Sequence, residues 1–249
     1  MLFLVFQILL FGSSCTTSKH VTYFENVADT SFAAKPAREL VIQSNDILSI
    51  SISSLNPEAS AIFNVNDVKS TNNPQLLGGY LVNTEGNIQL PVLGTIKAAG
   101  LTKNQLKDLI TNTILEKKLL IDPIVNVRQI NFRVTVLGEV AHPATIPVPS
   151  EKISLLEALG LAGDLTIFGK RENVLLIREE SNGKKQLRRI NLTSKNFFLS
   201  PYYYLQPNDV VYVEPNKSKI SSTSLTKQWI PVVLSSVSVI ALAIYRLNR

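Results

Sequence analysis

The sequence predicts an α+β protein of two small units, each with one short helix among strands, followed by an apolar C-terminal helix. Three observations predict it. Short runs alternate apolar and polar residues with the period of two expected of strands that bury one face. Two segments begin with Thr or Ser followed three residues later by Gln or Glu, the signature of a capped helix N-terminus. Two uncharged apolar stretches, at residues 1–11 and 229–245, bracket a chain whose remaining composition is that of a water-soluble protein.

The front stretch is almost all Leu, Phe, Val and Ile and runs into Gly12-Ser13-Ser14-Cys15. It is too short to span a bilayer, which takes about 20 residues, and has the form of a secretory signal peptide. Cys15 is the chain's only cysteine. It follows small side chains on which a peptidase can close, and its thiol can take a diacylglyceryl group. The run resembles a bacterial lipobox, which implies removal of residues 1–14 and lipid attachment at Cys15. The alternative is an ordinary buried thiol in an N-terminal helix. No Asp follows the cysteine in Thr16-Thr17-Ser18, which favours the outer membrane. Residues 15–37 are polar and irregular and read as a tether.

The first unit covers residues 38–128. Asn45-Asp46 leads into Leu48, Ile50 and Ile52, which alternate with serines as a strand does. Residues 54–79 are rich in Asn, Ser, Pro and Gly and read as a long loop or irregular hairpin. Residues 80–82 and 88–90, with Gly86 at a turn between them, read as a strand pair ending at Pro91. Residues 101–120 make the clearest helix. Thr102 and Gln105 form a capping box, Leu101 can staple against Leu106, and Leu106, Leu109, Ile110 and Ile114 share a face. Asp122-Pro123 stops this helix, and Val125 and Val127 open another strand.

The second unit covers residues 129–215. Phe132, Val134 and Val136 alternate with polar residues up to Gly138. Ser154 and Glu157 form a second capping box, opening a short helix that Gly163-Asp164 closes. Residues 174–177, 187–190 and 210–213 supply further strands. One short helix across a small mixed sheet is a β-grasp-like plan. The two units also rhyme: Ser44-Asn45-Asp46-Ile47-Leu48-Ser49-Ile50 resembles Pro207-Asn208-Asp209-Val210-Val211-Tyr212-Val213. In both, Asn-Asp turns the chain into a strand, and Asn tolerates the left-handed backbone such a turn uses.

After a linker at residues 216–227, residues 228–246 read as a transmembrane helix, with Trp229 and Tyr245 as its anchor boundaries and Pro231 in its first turn. Ser235 and Ser238 share a face, suited to close helix packing or to a wet lumen. A plain single-span anchor and an oligomeric barrel of helices both fit.

The net charge is +6, with a pI near 9.4. The densest basic group, Lys184-Lys185 with Arg188-Arg189, surrounds a Ser181-Asn182-Gly183 turn and reads as a solvated loop or as a surface for an acidic polymer. Nucleic acid does not suit an exported lipoprotein. The residues expected of an enzyme are missing: His20 lies in the tether, His142 in a turn, and no metal, cofactor or nucleophile motif is present. Asp46 and Asp209 read as turn residues, not as an acid–base pair. Tyr202-Tyr203-Tyr204 can stack on sugar rings or pack into the core.

Residues 41–127 resemble the polysaccharide biosynthesis/export domain of Wza-type outer-membrane lipoproteins. The matching residues are Asp46-Ile47-Leu48-Ser49-Ile50, the run from Gly86-Asn87-Ile88 to Leu93-Gly94, Ala98-Ala99-Gly100-Leu101-Thr102 and Pro123-Ile124-Val125-Asn126-Val127. The following stretch resembles the soluble-ligand-binding β-grasp (SLBB) domain. It matches through Val134-Thr135-Val136-Leu137-Gly138-Glu139-Val140, Leu155-Leu156-Glu157-Ala158-Leu159, Ala162-Gly163-Asp164-Leu165-Thr166 and Asp209-Val210-Val211-Tyr212-Val213. His142-Pro143-Ala144 stands where the family has a Pro-Gly turn, and Asn45 and Asn208 stand where it has glycines.

The resemblance implies a homo-oligomeric ring that exports capsular or exopolysaccharide without catalysis or cofactor. It implies a periplasmic body held to membrane lipid, and an inner-membrane co-polymerase or tyrosine kinase as partner. The rival reading is a lipid-anchored periplasmic glycan-binding or scaffold protein that forms no pore. A cell-wall glycan hydrolase is a weaker third, for which no carboxylate pair stands out.

Overall fold

Alternation of apolar side chains builds the first domain around Ile47–Ser53 (β1), whose Leu48, Ile50 and Ile52 are buried. In the computed structural model, which describes residues 22–24, 29, 31, 39–64, 78–180, 183–222 and 225–247, β1 is the middle of a three-stranded antiparallel sheet. Tyr80–Leu81 (β2) lies on one side and Ile124–Gln129 (β5) on the other. The register sets Ile50 opposite Val127 and Ile52 opposite Val125, so one face is continuous hydrocarbon. A short helix, Pro57–Ala61 (α1), follows β1, with the Asn56 side chain accepting from the N–H groups of Glu58 and Ala59.

One expectation for the next segment is corrected. Residues 80–82 and 88–90 do not pair with each other. Asn87–Leu90 (β3) pairs instead with Gly94–Lys97 (β4), around a tight turn in which Val92 and Gly94 take φ of 64° and 83°. The Asn83–Asn87 turn closes on itself, with the Asn87 N–H donating to the Asn83 side chain at 2.8 Å and the Asn83 N–H to the Asn87 carbonyl at 2.9 Å. It therefore hands β2 and β3 to different sheets.

The main helix of this domain is Lys103–Glu116 (α2), with the Thr102/Gln105 capping box formed. Leu106, Ile110 and Ile114, one turn apart, are fully buried against the sheet, each stabilising by about 1.5–3 kcal/mol. Leu109, expected on that face, is 39% exposed at its margin. The helix ends before Asp122-Pro123 because Lys118 turns left-handed, with φ 52°. The Lys118 N–H donates to Leu115 and the Leu119 N–H to Ile114. That pair of bonds is a Schellman cap, which satisfies two of the last carbonyls.

The second domain is a five-stranded mixed sheet in the order β7-β6-β10-β8-β9. Its strands are Arg133–Gly138 (β6), Ala144–Pro147 (β7), Gly169–Glu179 (β8), Lys185–Ile190 (β9) and Val210–Pro215 (β10). The last strand enters the centre, parallel to β6 and antiparallel to β8. Leu155–Leu161 (α3) packs Leu155, Ala158 and Leu159 against the core face of this sheet. Its Ser154/Glu157 capping box is formed. Its exit is again a Schellman cap, with Gly163 at φ 78° and Asp164 N–H donating to Leu159. One helix across a small mixed sheet is the plan that the strand and helix pattern predicts.

Residues 216–227, expected as linker, contain a short helix, Lys217–Ser222 (α4), started by the Asn216 side chain. The C-terminal helix is Leu225–Leu247 (α5). The expectation that it crosses a membrane is overturned: among the described residues, no helix is long and apolar enough to do so. With it goes the reading of Trp229 and Tyr245 as membrane-anchor boundaries. Thr226, Lys227 and Gln228 open the helix with polar residues, and Ser235, Ser236 and Ser238 interrupt its apolar run. Because the helix begins at Leu225, Pro231 is interior, not in the first turn, where it removes a hydrogen bond and crowds the preceding carbonyl.

Candidate functional site

A concavity lies where the two domains meet. The start of α2 is pinned from outside: the Ile42 N–H donates to Leu101 at 2.9 Å and the Gly100 N–H to Ile42 at 3.0 Å. Residues 40–42 therefore run beside Lys103, the first residue of α2. Lys103 reaches across to Glu151, on the exposed loop before α3, with Nζ 2.5 Å from the carboxylate. That bond, reinforced by the charges of Lys103 and Arg128, holds Glu151 below the usual carboxylate range. A groove of about 520 Å³ opens here, and its lining includes apolar Leu40, Val41 and Phe132 and charged Lys103, Arg128 and Glu151. An adjoining depression of about 470 Å³ shares Leu40, Lys103 and Glu151 and adds Lys107 and Lys152. Sequence reasoning missed this site, because no local spacing links Lys103, Arg128 and Glu151.

The two Asn-Asp turns are structural. Asn45 and Asn208 adopt φ of 71° and 64°. Each aspartate accepts from the backbone N–H three residues earlier, Asp46 from Gln43 at 2.8 Å and Asp209 from Gln206 at 2.7 Å. Asp46 takes a further bond from Gln129 at 2.8 Å, and burial pushes its carboxyl above the ordinary 3.8. Asp209, fully buried, is gripped at both oxygens by Arg178, at 2.9 and 2.7 Å.

The tyrosine run packs at home. Tyr203 lies against Phe197, Phe198 and Tyr204, and Tyr202 is flanked by Arg178 and Arg188 and hydrogen-bonded to Gln186. The Tyr202 hydroxyl also accepts from Arg188 Nε, and Arg189 pairs with Glu214 at 2.7 Å. The basic hairpin thus has charges engaged locally. A contact the sequence did not announce brings Tyr23 and Phe24 onto this domain. The Tyr23 hydroxyl bonds Asp164, and the Phe24 ring lies 4.8 Å from that of Phe198. His142 is exposed in its turn, with its backbone N–H on Ala162.

On α5, the Ser235 and Ser238 hydroxyls donate to Val232 and Leu234 of the same helix, leaving its surface apolar. Residues 1–14, Cys15 and His20 lie outside the described residues, as does most of the tether. Among the described residues, no cluster of three or more His, Cys, Asp or Glu is placed to hold a metal ion.

Comparison with known proteins agrees with this two-part architecture. Residues 34–129 match the family described as polysaccharide biosynthesis/export protein, and residues 133–189 match the SLBB domain. The EPS I polysaccharide export outer membrane protein EpsA of Ralstonia solanacearum is 33% identical over 150 residues, covering 58% of this chain and 38% of the relative. Its namesake in Ralstonia nicotianae is 36% identical over 116 residues, covering 45% and 30%. The chain therefore spans 38% and 30% of the length of these two relatives. Its folded body is a polysaccharide biosynthesis/export domain followed directly by an SLBB domain, as the motifs in its sequence imply.

Proposed function

We propose that this protein is a subunit of an outer-membrane export apparatus that passes capsular or exopolysaccharide from the periplasm to the cell surface. The observation that carries this reading is the export-family match over residues 34–129, joined in order to the SLBB domain. The names of its relatives as polysaccharide export outer membrane proteins support it. The protein moves a polymer without chemistry of its own. Lipid on Cys15 holds it to the membrane, copies of the chain assemble as a ring, and an inner-membrane co-polymerase delivers the polysaccharide. Ser235 and Ser238, with hydroxyls folded back onto their own helix, give α5 a face of small residues for helix packing between copies.

Deletion of the gene tests the reading. Surface polysaccharide is expected to disappear and to accumulate in the periplasm, with recovery on complementation by the wild-type chain but not by Cys15→Ser. Undiminished surface polysaccharide in the deletion strain would refute export. A second reading, a lipid-anchored glycan-binding or scaffold protein without a pore, draws on the cationic interdomain groove. Projection images of the detergent-extracted protein separate the two: closed rings support the exporter, monomers the scaffold.

A further inference from the structure

The groove between the domains pairs an anchored cation with a loosely held anion. The Lys103 side chain is 18% exposed, whereas that of Glu151 is 70% exposed on its loop. Arg128 adds a second positive charge facing the same carboxylate. We propose that this groove is a binding site for an acidic glycan, in which Lys103 and Arg128 take the carboxylate of a uronic acid residue and Glu151 occupies that position when no glycan is bound. The assignment rests on the export reading and narrows it to a chemical class of polymer.

Three features favour this occupant. The volume of about 520 Å³ falls in the range of small-ligand pockets, which form preferentially at domain interfaces. Exposed Val41 and half-buried Leu40 line the groove and suit the carbon-bound face of a pyranose ring, beside the charged groups of the same lining. The cations also continue outward. With Lys107 and Lys152 in the adjoining depression, four cations face two carboxylates, Glu39 and Glu151, and Glu39 already accepts from Asn104 at 2.9 Å. An excess of positive charge over two adjoining depressions suits a polymer that repeats its negative charge. Glu151, 70% exposed on its loop, can swing away from Lys103 into solvent and leave that cation to a ligand carboxylate.

The test titrates the full-length purified protein with oligogalacturonate, with a neutral maltooligosaccharide of equal length and polyphosphate as controls, at physiological salt. Oligogalacturonate is expected to bind at least tenfold more tightly than either control. The double variant Lys103→Met/Arg128→Met should lose that binding, and Glu151→Gln should strengthen it severalfold by freeing both cations. Glu151→Gln changes only an exposed side chain, so it reports on the site even if the double variant folds poorly. Equal binding of the neutral oligomer, equal binding of polyphosphate, or weaker binding by Glu151→Gln would overturn the site. Failure of the wild-type protein to bind oligogalacturonate, in a strain that still exports polysaccharide, sinks this proposal and leaves the export reading standing.

Discussion

Gln43-Ser44-Asn45-Asp46 and Gln206-Pro207-Asn208-Asp209 are the same turn in two domains, and they differ in what meets the aspartate. The backbone is common to both: a left-handed Asn, and a carboxylate that accepts from the Gln N–H. In the export domain the second oxygen meets the neutral amide of Gln129. In the SLBB domain it meets the guanidinium of Arg178, deep in the sheet. One local device is therefore anchored by a single hydrogen bond in one place and by a buried ion pair in the other. The comparison teaches that the turn belongs to local sequence, whereas its energetic weight belongs to a distant residue.

The sharpest way to break the comparison is to remove the partner. Arg178→Met strands a carboxylate with 0% side-chain exposure, and the SLBB domain should lose about 3–5 kcal/mol. Gln129→Met, the matching change in the export domain, should cost only about 1.5–3 kcal/mol, the worth of a hydrogen bond to a charged group. Urea unfolding followed separately in each domain measures both; equal losses would show that the two turns carry equal weight.

The helix exits extend the contrast. Both end in a Schellman cap, but α3 has Gly163 at the left-handed position and α2 has Lys118. Gly163→Ala should destabilise by about 2 kcal/mol, because an added Cβ would also lie 2.6 Å from His142 and 2.8 Å from Ala141. Lys118→Gly should stabilise by about 1 kcal/mol. Thermal unfolding of each variant checks the opposite signs.

The smallest expected effect is in pH. Burial raises the Asp46 carboxyl above 3.8 in the folded state, so the native form takes up a proton before the unfolded form does. The export domain should gain stability from this group as pH falls through the raised value towards 3.8, and above that value the penalty is constant. Glu151 and Glu214 are held low by their cations and contribute with the opposite sign, losing stability as pH falls. The difference between wild type and Asp46→Asn isolates the first effect. A difference that stays flat as pH falls from neutral to 3.8 would show that burial of Asp46 does not govern its titration.

What could be read in advance follows the same division between local and distant. Alternation at Leu48, Ile50 and Ile52 and the Thr102/Gln105 and Ser154/Glu157 boxes are short-range patterns, and each appears where its spacing places it. β4 was not legible, because Gly94-Thr95-Ile96-Lys97 has one apolar residue to alternate and a partner set by a turn at Val92. The end of α2 was misread because a lysine, not a glycine, takes the left-handed position. The long-range pairings, Arg178 with Asp209, Lys103 with Glu151 and Tyr23 with Asp164, leave no trace in spacing. The interdomain groove is made of such pairings. The start of the C-terminal helix is equally hidden, since Leu225 begins it six residues before Pro231 and so places that proline in its interior.

The SLBB match stops at residue 189, yet the strand that joins β6 to β8 is Val210–Pro215. A fragment cut at the matched boundary would leave those two strands separated by an empty slot, with Val136 and Leu176 facing water instead of Val211. The module is completed only when its final segment threads back into the middle, so during synthesis it cannot close until residue 215 has left the ribosome. Its assembly is thereby a late event, governed by the last piece of the body to emerge.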